Sequence, residues 1–259
     1  MLLWLVYHVI IILVYNITMF STSSGSNKRL IAEDENEYIY FNPKATSNEY
    51  KSETGDISII PNSKARECLF IAGSSGSGKS TYASKYVEKW LKIFPQGECY
   101  LFSRKDKDPV FDKQPRIKRV KINDDLIKVP VNVTTDFLPN SLVIFDDIDS
   151  LEKHYYEMIS RMILDILEVG RSYKIYAIII NHLLNPNNRK LGRVLHNESH
   201  YITIFNKDNI RAQRYFLNNY MGYDKDKTDQ IINTKDTRAI TIHRHYPNFI
   251  ITDSKIWSP

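Results

Sequence analysis

The sequence predicts an α/β domain: a mostly parallel central sheet flanked by helices, closed by a C-terminal hairpin. Three observations carry that expectation. From Glu67 onward, strand-like and helix-like segments alternate, the pattern of a parallel sheet covered by helices. A glycine-rich loop, Gly73 to Ser80, sits between an apolar run and an amphipathic one. Finally, four apolar residues, Leu142 to Phe145, end in two carboxylates, which suits a strand buried on both faces.

Taken in order, the first strand is expected at Glu67 to Ala72. Tyr82, Ala83, Tyr86, Val87, Trp90 and Leu91 then recur at helical spacing. A second strand, Cys99 to Phe102, follows Pro95 and Gly97. Residues 103 to 138 give weaker signals, with a short strand near Ile117 to Ile122. After Leu142 to Phe145, a helix from about Leu151 to Val169 presents Leu151, Tyr155, Met158, Ile159, Met162 and Ile166 on one face. Ile175 to Ile180 is the most apolar strand, and Tyr201 to Phe205 is another. Helices near Ile210 to Tyr220 and Lys225 to Ile232 follow. Ala239 to His243 and Asn248 to Thr252 read as a terminal hairpin.

The chain has 259 residues, room for one α/β domain and small extensions. Its 42% hydrophobic and 25% charged residues fit a globular class. Two cysteines, Cys68 and Cys99, are too few for a disulfide scaffold or a zinc site and point to a reducing compartment. A net charge of +5 permits a polyanionic partner without demanding one. The apolar stretch Met1 to Phe20 is long enough to span a hydrocarbon core. No cation precedes it, against a secretory signal, while Lys28 and Arg29 follow it and would keep the rest on the cytoplasmic side. An upstream extension of the reading frame, with Met19 as the start, and a buried helix are the alternatives to a membrane anchor. Residues 21–62, polar and turn-rich with the acidic run Glu33 to Glu37, read as a linker with at most one strand. The α/β domain is then expected over 63–259.

Gly73-Ser74-Ser75-Gly76-Ser77-Gly78-Lys79-Ser80, followed by Thr81, fits G-x-x-x-x-G-K-[ST] at every fixed position. Glycines let successive backbone N–H groups converge on phosphate oxygens, and the following helix aims its positive end at the same anion. Lys79 is expected at the β- and γ-phosphates and the Ser80 hydroxyl on Mg²⁺. An ordinary Gly/Ser turn is the competing explanation. It fails on context, since three of the chain's nine glycines fall within the six residues from Gly73 to Gly78, between a strand and a helix. The chain is therefore read as a P-loop NTPase of RecA-like organisation, using ATP and Mg²⁺.

Asp146 closes the strand that should end beside the phosphates and is expected on the metal; Asp147 can polarise the attacking water. A solvated acidic turn that includes Asp149 is the alternative. Asp146 is expected to approach the metal from the strand next to the loop strand. Asn181, at the end of the apolar strand Ile175 to Ile180, can sense the γ-phosphate or the water, or merely cap the strand. His182 is assigned a structural role. Gly170-Arg171 reads either as a helix C-terminus with a favourable cation or as an arginine finger acting on a neighbouring subunit's ATP.

Together, Gly73 to Ser80, Phe145-Asp146-Asp147, Gly170-Arg171 and Asn181 resemble the poxvirus-type DNA-packaging ATPases of large nucleocytoplasmic DNA viruses. That family belongs to the FtsK/HerA superfamily of ring-forming translocases. Ile204 to Asn209 and Arg214 to Leu217 add to the resemblance, which spans roughly residues 65 to 225. It implies an ATPase that pumps duplex DNA, independent of sequence, into a preformed capsid or its portal as a homo-oligomeric ring. It implies action in the host cytoplasm at viral factories, or in the virion. It carries Lys79 and Ser80 over to phosphate and metal, Asp146 and Asp147 to metal and water, Asn181 to the sensor and Arg171 to the finger. Two positions depart from the family: the sensor is commonly Gln, and His often follows the Gly-Arg pair where this chain has Ser172.

Between Arg104 and Lys121, eight cations face three carboxylates, either a track for a phosphate backbone or a solvated loop. His243-Arg244-His245 is read as structural. A guanine-nucleotide switch would need N-K-x-D, and Asn206-Lys207-Asp208-Asn209 ends in Asn. A kinase would need an Arg-rich lid, and Asn185 to Arg193 offers only Arg189 and Arg193. A nucleotide-binding membrane protein without motor action is the remaining alternative.

Overall fold

The computed structural model describes residues 19–25, 28–35, 37–42, 49–129, 131–186, 188–205, 208–235, 237–245 and 247–259. Of the apolar stretch expected as an anchor, 1–18 lie outside the described residues. Phe20 belongs to the core, 2% exposed and in ring contact with Phe41 and Phe249. Among the described residues no helix is long and apolar enough to cross a membrane.

Where a polar linker was expected, the chain forms five short strands: β1 (Phe20–Ser21), β2 (Arg29–Asp34), β3 (Glu37–Phe41), β4 (Glu49–Lys51) and β5 (Ile57–Ile59). Their apolar content is thin: Ile31, Ala32, Ile39, Ile57 and Ile59 are buried, while β4 has no buried residue. The acidic run covers the end of β2 and the start of β3, with Glu35 after β2 at a φ of 49°. Asp34 within it is buried and accepts hydrogen bonds from Tyr50, Ser52 and Thr54.

The α/β body keeps the expected order of strands and adds two helices, Asp124–Lys128 and Arg189–Glu198, that the sequence did not reveal. β6 (Cys68–Ala72) leads through the loop into α1 (Lys79–Ile93), then β7 (Cys99–Ser103) and β8 (Ile117–Lys121). A short α2 (Asp124–Lys128) precedes β9 (Leu142–Phe145), α3 (Lys153–Val169) and β10 (Tyr176–Asn181). Then come α4 (Arg189–Glu198), β11 (Tyr201–Phe205), α5 (Ile210–Asn219) and α6 (Lys225–Ile232). The hairpin of β12 (Ala239–His243) and β13 (Phe249–Ile251) is extended by β14 (Lys255–Trp257), which the sequence did not reveal.

One sheet runs β4-β14-β13-β12-β11-β6-β10-β9-β7-β8, parallel from β11 to β8 and antiparallel beyond β11. Alternate residues of β6 serve opposite layers. Cys68, Phe70 and Ala72 pack with α3 to α6, while Leu69 and Ile71 pack with α1 and the small sheet β1-β3-β2-β5. Trp90 fixes α1 to the sheet, fully buried with ring centroids 5.2 Å from Phe94 and 6.0 Å from Tyr176. Truncating such a side chain to alanine costs about 3–5 kcal/mol, so this contact helps to hold the helix that carries Lys79 and Ser80.

Candidate nucleotide-binding site

The loop's backbone explains its glycines. Gly76 and Gly78 adopt φ of 76° and 110°, where a Cβ is strained. At Gly73 the obstacle is space, since a Cβ would stand 2.7 Å from both Phe205 and the Ser77 hydroxyl. No side chain caps α1 and its first turn holds no acid, so its N–H groups and positive dipole end are left for an anion. Lys79 is 6% exposed and donates to the carbonyls of Gly73 (2.8 Å) and Ser74 (3.0 Å). Burial lowers its pKa, opposed by the carboxylates of Asp147, Asp149 and Asp146, in that order of effect. The lysine and the three acids therefore share one electrostatic neighbourhood. Ser80 and Thr81 follow on the first turn of α1, half-buried and exposed respectively.

One expectation is corrected here. The strand that carries Asp146 is not the neighbour of β6, because β10 lies between β6 and β9. At the usual strand spacing this sets Asp146 roughly 10 Å across the sheet from the loop strand. The same insertion brings Asn181 to the loop itself, level with Ala72 and accepting the Gly73 N–H at its backbone carbonyl (3.2 Å). The physical reason is the crossover: α1 carries the chain past two strand positions, which later strands fill.

Asp146 is 2% exposed. One carboxylate oxygen accepts from Ser103 and Lys105, both at 3.2 Å, and the other, Oδ1, is buried without a partner. Burial raises its pKa, and the like charge of Asp147 adds to this against the pull of Lys105. A divalent cation would reverse that balance, and the free oxygen is a suitable ligand for one. Asp147, in the left-handed region at a φ of 51°, receives Lys105 at 2.5 Å. Asn181 is wholly buried, with neither its amide oxygen nor its nitrogen partnered. In most structures such groups are satisfied, so an orphan amide beside the loop suits a ligand or water. Among the described residues no three His, Cys, Asp or Glu side chains form a metal cage. Mg²⁺ at phosphates needs none, since it takes one or two protein ligands together with waters and phosphate oxygens.

Five residues at this site were missed or misassigned from sequence. Lys105, counted in the basic run, bridges the two acids. Asp149 accepts the backbone N–H groups of His182 and Leu183, both at 2.8 Å, and ties the loop after β9 to the loop after β10. His182 lies between Asp149 (3.2 Å) and Asp147 (3.7 Å), so it touches the acidic pair. Asp208 accepts the Ser74 N–H, and Arg238 donates to the Gly76 carbonyl at 3.1 Å. A lone charged residue before a helix or a strand carries no local sign of such a contact.

Arg171 is not brought to the loop. It lies in the turn between α3 and β10, at the end of the sheet where the parallel strands begin. Five residues of strand at about 3.3 Å each separate the two ends, roughly 17 Å. The basic run is largely occupied: Arg104 pairs with Glu152, Lys118 with Glu98, Arg119 with Asp112 and Lys121 with Asp106. Arg116 donates to carbonyls at the end of α1, including Leu91 and Pro95. His243 is buried and stacked on Phe249, a structural role as expected. Residues 206–207 of the Asn206 to Asn209 motif lie outside the described residues.

No family model matches the chain. It is 38% identical over 208 residues to an uncharacterized protein, V3, of Sputnik virophage, covering 80% of this chain and 83% of that protein. Among solved structures it is similar to B204, the DNA-packaging ATPase of Sulfolobus turreted icosahedral virus. The TM-score is 0.51 at 14% identity, over 74% of this chain and 97% of that one. It is also similar to the conjugation coupling protein TcpA of pCW3, with a TM-score of 0.51 at 12% identity over 98% of this chain and 80% of that one. The chain belongs to the family of the Sputnik virophage protein V3, and its fold is the α/β fold that the B204 and TcpA structures share.

Proposed function

We propose that the chain is an ATP-hydrolysing motor that moves duplex DNA, packaging a viral genome into a preformed capsid. The observation that carries the hydrolytic part is the pair of buried, unpartnered polar groups, Asp146 Oδ1 and the Asn181 amide, on neighbouring strand ends beside the loop. The motor and packaging part rests on likeness to B204, a DNA-packaging ATPase by its description, and on the family resemblance of the motifs.

In this reading the loop amides and the α1 N-terminus take the triphosphate, and Lys79 turns from the loop carbonyls to the β- and γ-phosphates. Ser80 and Asp146 would hold Mg²⁺, which supplies charge neutralisation at the phosphate oxygens. Lys105, which donates to both Asp146 and Asp147, would keep Asp147 as its partner if Asp146 held the cation. Asp147 accepts the proton of the attacking water, and the Asn181 amide orients that water. Asp149 and His182 act as positioning residues, holding the acidic turn against the loop after β10. Arg171 stands too far from its own chain's loop to act there, so as a finger it serves a neighbouring copy in a ring. The occupied basic run gives little support to a DNA track at Arg104 to Lys121.

Hydrolysis measured with and without duplex DNA tests the proposal. DNA should stimulate turnover, with binding that weakens as salt rises. No stimulation and no binding across a range of salt would leave a nucleotide switch or a kinase instead. Mixing Arg171→Ala with Lys79→Ala subunits should restore part of the activity, and no rescue counts against action between copies.

A further inference from the structure

The end of the sheet opposite the phosphate loop holds a cavity of about 460 Å³ that nucleotide hydrolysis within one chain does not use. Its walls are the segment before β6, the α3–β10 turn, His200 just before β11, and His245 between β12 and β13. Five cationic side chains line it, Arg29, Lys64, Arg66, Arg171 and Lys174, against one lining carboxylate, Glu198. Glu67 pairs with Arg29 from behind. Like charges gathered in one concavity repel, so the arrangement favours an anion.

The floor is built. Arg66 is 6% exposed and donates to the carbonyls of Ile166 (3.3 Å) and Leu167 (2.7 Å) at the end of α3, while its Nε has no partner. Arg29 Nε is likewise buried and unpartnered. His200 accepts the Cys68 N–H at Nδ1 (3.2 Å), which in the neutral ring leaves Nε2–H as a donor. The turn that carries Arg171 and Lys174 is braced by Ile175 N–H to Gly170 (2.9 Å) and by Asn140 N–H to Lys174 (3.1 Å). Burial, with a smaller contribution from the neighbouring positive charges, depresses the pKa of His200 to about 3 and lowers that of His245.

We propose that this cavity is a second phosphate-binding site, with Arg66 and Arg29 as its floor and Lys64, Arg171 and Lys174 as its rim. Several cations converging from separate elements match a phosphate group, with its multiple charge and three terminal oxygens, better than a carboxylate. The site stands about 17 Å from the loop on the same chain by strand length, so it does not depend on the reading of that loop. The phosphate can belong to a nucleotide carried by a neighbouring copy, or it can be free in solution.

The test uses the full chain carrying Lys79→Ala, which weakens the loop as a competing site, titrated with inorganic pyrophosphate. One pyrophosphate should bind per chain, and adding Lys174→Glu or Lys64→Glu, both at exposed positions, should weaken it at least tenfold with an unchanged melting temperature. No binding to Lys79→Ala, or affinities within twofold after either charge reversal, overturns the proposal. Sedimentation of the unmodified chain in excess ATPγS separates the sources. If pyrophosphate dissolves nucleotide-dependent assemblies, the site takes a neighbour's terminal phosphate. If assemblies persist while pyrophosphate still binds, the site takes free phosphate, and in both cases it stands.

Discussion

Replacing Asn181 by leucine should make the protein more stable and the enzyme worse. The Asn181 side chain is wholly buried at the end of β10 and neither of its two polar atoms has a partner. Each such atom costs about 1–3 kcal/mol of desolvation that no hydrogen bond returns. Leucine is close in size but branches differently, and the strain of fitting it offsets part of the gain. The net expectation is about 2 kcal/mol, which at roughly 2–4 °C per kcal/mol for a domain of this size raises Tm by about 4–8 °C. Hydrolysis should fall about 10²-fold or more, the usual loss when one preorganised polar group leaves a reacting centre. Nucleotide affinity should hold within a few-fold, because the loop and Lys79 are untouched. Thermal melts without nucleotide, nucleotide titration and single-turnover hydrolysis on the same preparation read all three. A lower Tm with unchanged hydrolysis would refute the argument, since it would make Asn181 a structural residue whose amide is satisfied.

Lys79→Ala should abolish turnover, because it removes the cation facing the β- and γ-phosphates; hydrolysis at the unmodified rate would contradict the loop assignment. Asp147→Asn should leave nucleotide binding intact and slow hydrolysis by ~10² or more, and a rate within a few-fold would remove Asp147 from the base role. Asp208→Asn should tighten nucleotide binding about tenfold. The charged acceptor on the Ser74 N–H competes with the incoming phosphates, and a neutral one is weaker by about 1.4 kcal/mol. Equal or weaker binding by titration would show that Asp208 only shapes the loop.

The sequence by itself determined the conformation of the loop from Gly73 to Ser80, because everything that shapes it is contiguous. Gly76 and Gly78 take their left-handed φ within the loop, and Lys79 follows at once as the first residue of the helix. It also determined the ends of β9 and β10, since an apolar run that stops at Asp146 or Asn181 is a local pattern with one physical meaning in a buried sheet. Only the tertiary structure decided what stands beside them. The insertion of β10 between β6 and β9 is a property of sheet order, which no single segment encodes. Lys105, Asp208 and Arg238 reach the site from three distant parts of the chain, and each reads locally like any solvated charge. For the same reason the sequence left the basic run open between a phosphate track and a solvated loop, whereas in the fold it is held by its own ion pairs, and β1 to β5, short and with few buried apolar residues, passed for a linker. Backbone conformation and burial leave their mark on neighbouring residues, whereas the partner of a charge is set by whichever element the fold brings within a few ångströms.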